Sequence, residues 1–213
     1  SSAGSWASGL ANNVTAATGI LRDTNPDGPY AAVQFGIAPI DSDGVAMNIL
    51  DFDADGNSVN ERTNLGVTTE VRYGRLKLGN AFGSELLDLP IPMETQYLNS
   101  SGVYVTNVAD SCTAIALNNV YLSSGTASGG ATFTAGKGNL KIIKPLSKVS
   151  IDLCMDLDGA TPTDPIYVVS TLANMPWLQW KWSGATFDND PKARATFGVF
   201  KNADELVYLR EVY

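Results

Sequence analysis

The sequence of 213 residues contains no histidine. This absence excludes Ser-His-Asp and Cys-His catalysis, histidine-ligated zinc and histidine-based pH switching. Cysteine is nearly absent as well: Cys112 and Cys154 are the only two, too few for a zinc or iron–sulfur centre built from cysteine. The chain therefore lacks the residues of many common nucleophilic and metal-dependent active sites.

Long apolar runs and basic residues are also scarce. No stretch approaches the roughly 20 apolar residues of a membrane helix, and residues 1–9 lack the basic start and apolar segment of a signal peptide. We interpret the chain as a mature or processed piece of a longer protein, with a natural C-terminus. Its formal charge of −8 disfavours nucleic acid and membranes, and favours a soluble extracellular protein, a cation-binding protein, or both.

The clearest strand pattern lies between Arg72 and Tyr97. Apolar residues occupy alternate positions in the first part of this stretch, and the alternation shifts by one residue at Gly74. Such a shift predicts a β-bulge. A turn rich in Asn, Gly and Ser leads to a return strand whose alternate residues share one face: Leu89, Ile91, Met93, Thr95 and Tyr97. Pro90 and Pro92 cannot donate ladder hydrogen bonds, so we expect this strand at a sheet edge.

Further short strands are predicted throughout, and no convincing helix is. The main ones are 31–39, 45–50, 103–106, 115–122, 132–135, 140–143, 148–157, 166–170, 177–182, 195–201 and 206–213. This spacing predicts an all-β fold, an antiparallel β-sandwich of jelly-roll-like or Greek-key topology with little helix. A two-lobed arrangement split near residues 125–138 is the alternative. We divide the chain into an N-terminal segment or strand, 1–25, and a β domain, 26–213.

One family resemblance is carried by three stretches: GRLKLGNAFGSELLDLPIPMETQY, TNVADSCT and the C-terminal DPKARATFGVFKNADELVYLREVY. Together they resemble the C-terminal domain of MshQ-like proteins, large secreted proteins associated with mannose-sensitive haemagglutinin (type IV) pili of Gram-negative bacteria. The resemblance extends from about Pro26 to the last residue. It implies an extracellular, pilus-associated protein and brings no catalytic residues with it.

An acidic loop, DFDADGNSVNE, is the best candidate for a cation site. Asp51, Asp53 and Asp55 alternate before Gly56, as in the loops that bind hard cations. We expect calcium there, with the Asn57 carbonyl and Glu61 as further ligands. The sequence differs from an EF-hand, because Arg62 holds the twelfth position and the flanks are strand-like. The alternative is a turn of solvated carboxylates.

The two cysteines predict one disulfide, Cys112–Cys154, if the protein is secreted. Such a bond would lie on the outer face of the 148–157 strand, because Cys154 alternates with its apolar residues. The alternative is a pair of thiols in a cytosolic protein.

Three tryptophans in WLQWKW, Trp177, Trp180 and Trp182, are candidates for stacking on sugar rings. Aromatic rows in strands more often belong to a core, which is the alternative reading. Glu85, Asp88 and Glu94 are near in sequence, but strand alternation does not force any two of them together as a glycosidase pair.

These observations predict a non-enzymatic, extracellular structural or adhesive domain of a pilus-associated or cell-surface assembly. Its expected partners are other protein subunits, either its own copies or pilus components. Residues 1–17 could add as a strand to a neighbour's sheet edge, or pair within their own domain. The alternative function is a lectin-like carbohydrate-binding module, with or without calcium.

Overall fold

The computed structural model describes residues 2–7, 10–16, 20–21, 23, 25–38, 49–129, 131–138, 140–157, 175–182 and 186–198. In this part of the chain the only helical elements are two three-residue 3-10 turns, Leu117–Asn119 and Pro176–Leu178. The predicted all-β fold is confirmed. No helix among the described residues has the length and apolar character needed to cross a membrane.

The strands are named in chain order: β1 (Ser2–Ala7), β2 (Leu10–Ala16), β3 (Tyr30–Ile37), β4 (Thr63–Val71), β5 (Gly74–Leu78), β6 (Ala81–Gly83), β7 (Leu89–Pro90), β8 (Met93–Leu98), β9 (Tyr104–Thr106), β10 (Ala114–Ile115), β11 (Val120–Leu122), β12 (Ala127–Ser128), β13 (Ala131–Thr134), β14 (Lys137–Gly138), β15 (Lys141–Ile142), β16 (Val149–Met155) and β17 (Lys192–Phe197).

These strands form three sheets and two separate ribbons. The first sheet has the order β10-β13-β14-β8-β5, with β9 also paired to β8. The second has the order β11-β16-β17-β6, and the third β12-β15-β7. The ribbons are β1–β2 and β3–β4. All described pairings are antiparallel except β17 with β6, which is parallel.

One apolar core joins the three sheets. Leu76 and Phe133 of the first sheet, Ile151 and Phe197 of the second and Ile142 of the third are completely buried in a single cluster. Alternation explains the choice of residues, because side chains at every second position of a strand point to the same face. Packing one sheet face against another is the arrangement of a β-sandwich.

The central stretch divides differently from the prediction. Strand β5 does pair with β8, with Leu78 opposite Met93. The slip at Gly74 is not a bulge, because Val71 ends the β3–β4 ribbon while Gly74 begins a strand of the first sheet. A side chain at Gly74 would contact Leu178, which lies 3.4 Å from an ideal Cβ position.

The two prolines also separate. Pro90 lies in β7, at the edge of the third sheet, as expected for a residue without an N–H. Pro92 precedes β8, which lies inside the first sheet between β14 and β5, so the predicted edge position is wrong for that strand. The return run is therefore two strands in two sheets.

The predicted strand at 148–157 is confirmed as β16. The strand predicted at 177–182 is wrong: a 3-10 turn ends at Leu178, and Trp180 forms only an isolated bridge with Asn189. The predicted strands 166–170 and 206–213, and most of 45–50, lie outside the described residues.

Candidate functional site

The acidic loop is closed at its base by a pair of backbone hydrogen bonds. Phe52 N–H donates to the Arg62 carbonyl at 3.0 Å, and Arg62 N–H donates to the Phe52 carbonyl at 3.1 Å. Arg62 leads directly into β4 at Thr63. The loop therefore ends directly before the N-terminus of β4, which agrees with the strand-like flanks in the sequence.

Backbone N–H groups organise the carboxylates inside this loop. Asp53 accepts from Gly56 N–H at 2.8 Å and from Ser58 N–H at 2.7 Å. Glu61 reaches back from the far end of the loop and accepts from Ala54 N–H at 3.0 Å. One carboxylate oxygen each from Asp53, Asp55 and Glu61 lie within 4.8 Å of one another. The structure therefore brings three of the five predicted calcium ligands together.

Asp51 and the side chain of Asn57 have other roles in the loop, and the backbone carbonyl of Asn57 stays a predicted ligand. Asp51 accepts from the backbone N–H of Asn64 at 2.8 Å, at the start of β4, and is not part of the carboxylate group. The side-chain carbonyl of Asn57 accepts from Val59 N–H at 2.8 Å, and its amide donates to Asp55 at 3.0 Å. Asp51 and Asn57 thus shape the loop around the carboxylates.

The electrostatics of the loop suit a hard cation. Partial removal from water raises the pKa of Asp53, but the N–H groups of Ser58, Gly56 and Asn57 lower it by more, so that the pKa lies below its usual value. Glu61 Oε2 is buried, and no donor among the described residues reaches it. Ionised oxygen ligands in one group are what calcium requires, so the carboxylates present fit such an ion.

The structure does not join Cys112 to Cys154. Cys112 is exposed, and its thiol lies 3.7 Å from Asp110 Oδ1, whereas Cys154 is completely buried. The expectation that Cys154 occupies an outer face is wrong, because Leu153, Cys154 and Met155 are all buried, so that both faces of β16 are covered at its C-terminal end. The alternation of apolar and polar residues in the sequence could not show that the second face of β16 is also buried.

The three tryptophans do not form a row. Trp177 is 52% exposed at the 3-10 turn. The rings of Trp180 and Trp182 instead face the guanidinium of Arg75, whose central carbon lies 5.0 and 5.3 Å from their centres. Only Trp177 therefore has the exposure that a sugar-stacking surface needs.

Comparison with protein families is informative for the larger part of the chain. A family model described as DUF6701, fourth domain, matches residues 72–212, which is 141 of the 213 residues. The chain belongs to the DUF6701 family. No curated protein and no solved structure matches the chain.

The DUF6701 match begins directly after β4, which ends at Val71. The first residue predicted for the β domain was Pro26, so the matched region is shorter by the β3–β4 ribbon and the acidic loop. The candidate calcium ligands lie outside the DUF6701 fourth domain, whereas Cys112, Cys154 and the three tryptophans lie inside it.

Sequence reasoning missed two features of this DUF6701 chain. One is Arg75, which appears in the sequence as an ordinary strand cation. The other is the pair Asp27 and Tyr30, in which the tyrosine hydroxyl donates to Asp27 Oδ2 at 2.7 Å. The DGPY turn at 27–30 places these two residues three positions apart, and this spacing is the feature of the sequence that could have indicated their hydrogen bond.

Proposed function

We propose that this DUF6701 chain is a non-enzymatic extracellular domain that works by contact with other protein subunits of a cell-surface or pilus-associated assembly. The observation that carries the proposal is the β3–β4 ribbon, which pairs with no other strand among the described residues. No described strand covers its two outer edges, so they can offer backbone N–H and C=O groups to a partner. Asn64 N–H and Gly66 N–H are exceptions, because each donates to a side chain of the protein.

Most residues of the ribbon are exposed. No residue of β3 or β4 is buried, and the apolar side chains Leu65 and Val67 are 48% and 58% exposed. A two-stranded ribbon is marginal in water when nothing packs on it. Adding a partner's strand would satisfy its edge and cover its apolar side chains, which is how β-augmentation combines affinity with specificity.

The N-terminal segment forms a second ribbon. Strand β1 pairs with β2, with Ser2 opposite Ala16 and Ala7 opposite Leu10. Residues 2–7 thus pair with residues 10–16, which corresponds to the second of the two alternatives that the sequence left open. Within the part of the chain that the structure describes, this ribbon also has open outer edges, and it supports the same kind of contact.

The extracellular and pilus-associated setting is supported by the resemblance to MshQ-like proteins, and the formal charge of −8 suits an extracellular protein. The non-enzymatic role is supported by the local structural contacts of two of the three acidic side chains that were considered for hydrolysis. Asp88 accepts from the backbone N–H of Lys144 at 3.0 Å, and Glu94 accepts from the Gln96 amide at 2.9 Å.

Calcium at Asp53, Asp55 and Glu61 is part of the same proposal. The loop leads directly into β4, so an ion there would order the strand that carries the exposed edge. The ion would supply charge neutralisation and cross-linking of the loop, a structural role common to calcium sites in extracellular modules.

A lectin-like carbohydrate-binding role is the second candidate. It is favoured by Trp177, whose side chain is exposed beside a cavity rather than packed in the core. Fewer tryptophans are available to a sugar than the sequence suggested, because Trp180 and Trp182 face Arg75.

Light scattering at increasing concentration and binding to purified type IV pili test the main proposal. We expect the full chain to self-associate or to bind pili, and the double substitution Leu65→Lys with Val67→Lys to reduce either interaction at least tenfold. A matched control adds the same two lysines at the exposed Leu86 and Leu87, which lie outside the ribbons. Strictly monomeric behaviour without binding to pili would overturn the proposal. An equal loss of association or pilus binding in the control variant would show that the ribbon is not the contact site.

A further inference from the structure

Two cavities share Trp177 in their walls. The first has a volume of about 290 Å³ and is also lined by Tyr30 of β3. The second has a volume of about 370 Å³ and is also lined by side chains of β8. Arg72 and Gly74 belong to both walls as well, so the two cavities adjoin each other and form one groove, the Trp177 groove. Ligand sites in proteins have volumes of roughly 300–1,000 Å³, so this groove is large enough for a ligand.

The junction between the two cavities is open because residue 74 is a glycine. An ideal Cβ at Gly74 would lie 3.4 Å from Leu178 and 3.7 Å from the Trp177 carbonyl oxygen. A longer side chain at this position would occupy the space that the cavities share. The groove can therefore hold one ligand that spans both of them.

The two cavities differ in the chemistry of their walls. The first offers aromatic and apolar area: Tyr30 and Trp177 are each 52% exposed, and Val71 lies beside them. The second offers amide side chains, those of Gln96 and Asn107. A ligand that spans the groove therefore needs an apolar face as well as groups that form hydrogen bonds.

The one basic side chain among the described residues of these walls is held by the protein itself. Arg72 donates to Glu70 at 2.7 and 2.9 Å and to Asn107 at 2.6 Å. Its guanidinium carbon also lies 4.3 Å from the centre of the Tyr97 ring. An anionic ligand would have to compete with these contacts for Arg72.

The aspartates of the walls have partners as well. Asp110 accepts from Thr113 N–H at 3.0 Å, and Asp27 accepts from the Tyr30 hydroxyl at 2.7 Å. Asp23 is also engaged within the protein. A cationic ligand would compete with these contacts in the same way, so the groove favours an uncharged ligand.

Some hydrogen-bonding capacity remains. The amide nitrogen of Asn107 has no acceptor among the described residues, and Asp27 Oδ1 has no donor among them. A hydroxyl group can donate one hydrogen bond and accept two, so it can bind to either atom. The C–H face of a sugar ring can at the same time pack on an exposed aromatic ring.

An extended peptide fits these walls less well. Peptides that bind as an added strand need an open sheet edge. Gln96 of β8 is paired with Arg75 on one side and with Thr106 on the other, so its backbone groups are used within the sheet. Recognition from this wall of the groove depends on side chains.

We propose that the Trp177 groove binds an uncharged oligosaccharide, with sugar rings packed on Trp177 and Tyr30 and hydroxyl groups bound by Asn107 and Asp27. The inference rests on the second candidate function, carbohydrate binding, and names its site and the class of its ligand. It is independent of the subunit contact through the β3–β4 ribbon.

The test is isothermal titration calorimetry of the full chain with maltohexaose, cellohexaose and the hexamer of N-acetylglucosamine. We expect at least one of them to bind, and to bind at least fivefold more tightly than its own disaccharide, because only the longer sugar spans both cavities. The glucosamine hexamer, which is cationic, should bind at least threefold more weakly than the best neutral hexamer. The neutral peptide acetyl-Thr-Ser-Thr-Ser-Thr-Ser-amide should bind more weakly as well.

Three variants locate the site. Trp177→Ala and Tyr30→Ala should each weaken binding of the best hexamer at least fivefold, because each removes a ring from the wall. Phe82→Ala is the matched control, since Phe82 is 68% exposed and lines neither cavity. Its affinity should equal that of the parent. Melting curves of all three variants show whether the fold is retained.

Several results would overturn the proposal. They are the absence of binding to all three neutral hexamers, equal weakening by Phe82→Ala, and equal affinity for hexamer and disaccharide. Tighter binding of the glucosamine hexamer would assign the groove to a cation, and tighter binding of the peptide would assign it to a protein segment. If no sugar binds while the chain still associates or binds pili, subunit contact stands and the groove assignment fails.

Discussion

The central guanidinium carbon of Arg75 lies 3.8 Å from the centre of the Tyr104 ring. Its Nε donates to the Gln96 side-chain carbonyl at 2.9 Å, and Trp180 and Trp182 complete the surroundings. Burial lowers the pKa of Arg75, with a smaller opposing effect from Tyr104, although a guanidinium remains charged in proteins. Among the described residues, ring faces and one amide compensate this half-buried cation, and no carboxylate pairs with it.

Replacing this cation should destabilise the fold. We expect Arg75→Met to lower the free energy of unfolding by about 1–2 kcal/mol, because the stacking is lost while an apolar stem remains. Urea denaturation followed by tryptophan fluorescence measures it. Lys181→Met is the control, since Lys181 is exposed and its ammonium lies 5.6 Å from the Phe187 ring centre. Equal stability of the Arg75 variant and the parent would contradict the structural role.

The core predicts a contrast between two phenylalanines. Phe133 is completely buried, whereas Phe82 is 68% exposed. Phe133→Ala should cost about 3–5 kcal/mol of unfolding free energy, because it removes buried apolar area and leaves a cavity. Phe82→Ala should change the free energy by less than about 1 kcal/mol. Chemical denaturation of both variants tests this, and similar losses would be inconsistent with the placement of these two strands.

The buried carboxylate of Asp110 predicts a pH dependence of stability. Burial raises its pKa, but hydrogen bonds from the Thr113 and Cys112 N–H groups outweigh burial, so the pKa in the folded state is depressed. A depressed pKa contributes stability above the unfolded-state value of about 4, and this stability is lost as the pH falls through the folded-state value.

Asp110→Asn should therefore lower stability by about 1 kcal/mol at pH 7 and reduce the loss of stability on acidification below about pH 4. Melting curves of both proteins between pH 2 and pH 7 provide the comparison. Parallel curves over the whole range would show that Asp110 is not a source of the acid sensitivity.

Calcium should raise the melting temperature if the acidic loop binds it. The expected stabilisation is about 2.7 kcal/mol at a calcium concentration one hundred times the dissociation constant. Glu61→Gln should abolish the effect, since it removes a charge while the remaining carbonyl can still accept from Ala54 N–H. Asp51→Asn, outside the carboxylate group, should retain it. Identical melting of the parent in calcium and in chelator would contradict a structural ion.

The reactivity of the two cysteines shows whether they are thiols or form the disulfide predicted from the sequence. Exposed Cys112 should react with a thiol reagent in the native protein, and buried Cys154 only after unfolding. We expect one reactive thiol in the native state and two in the unfolded, unreduced state. Absence of reactive thiols after unfolding would instead establish the disulfide that a secreted chain predicts.

Local patterns in the sequence identified what depends on local geometry. The alternation in 148–157 predicted β16, because successive side chains of any strand point to opposite faces. The acidic loop was recognisable because Asp53 and Gly56 close a turn with hydrogen bonds between near neighbours. The pairing of β5 with β8 followed from the alternating apolar residues on both sides of a turn rich in Asn, Gly and Ser.

Contacts between distant residues decided the rest. Cys154 is buried on the face that alternation assigns to solvent. Arg75 meets Trp180, which lies 105 positions further along the chain, and the Trp177–Trp182 stretch turns instead of forming a strand. Only the tertiary structure determines such placements, because burial and stacking depend on which segments pack together, and that choice is made by the whole core.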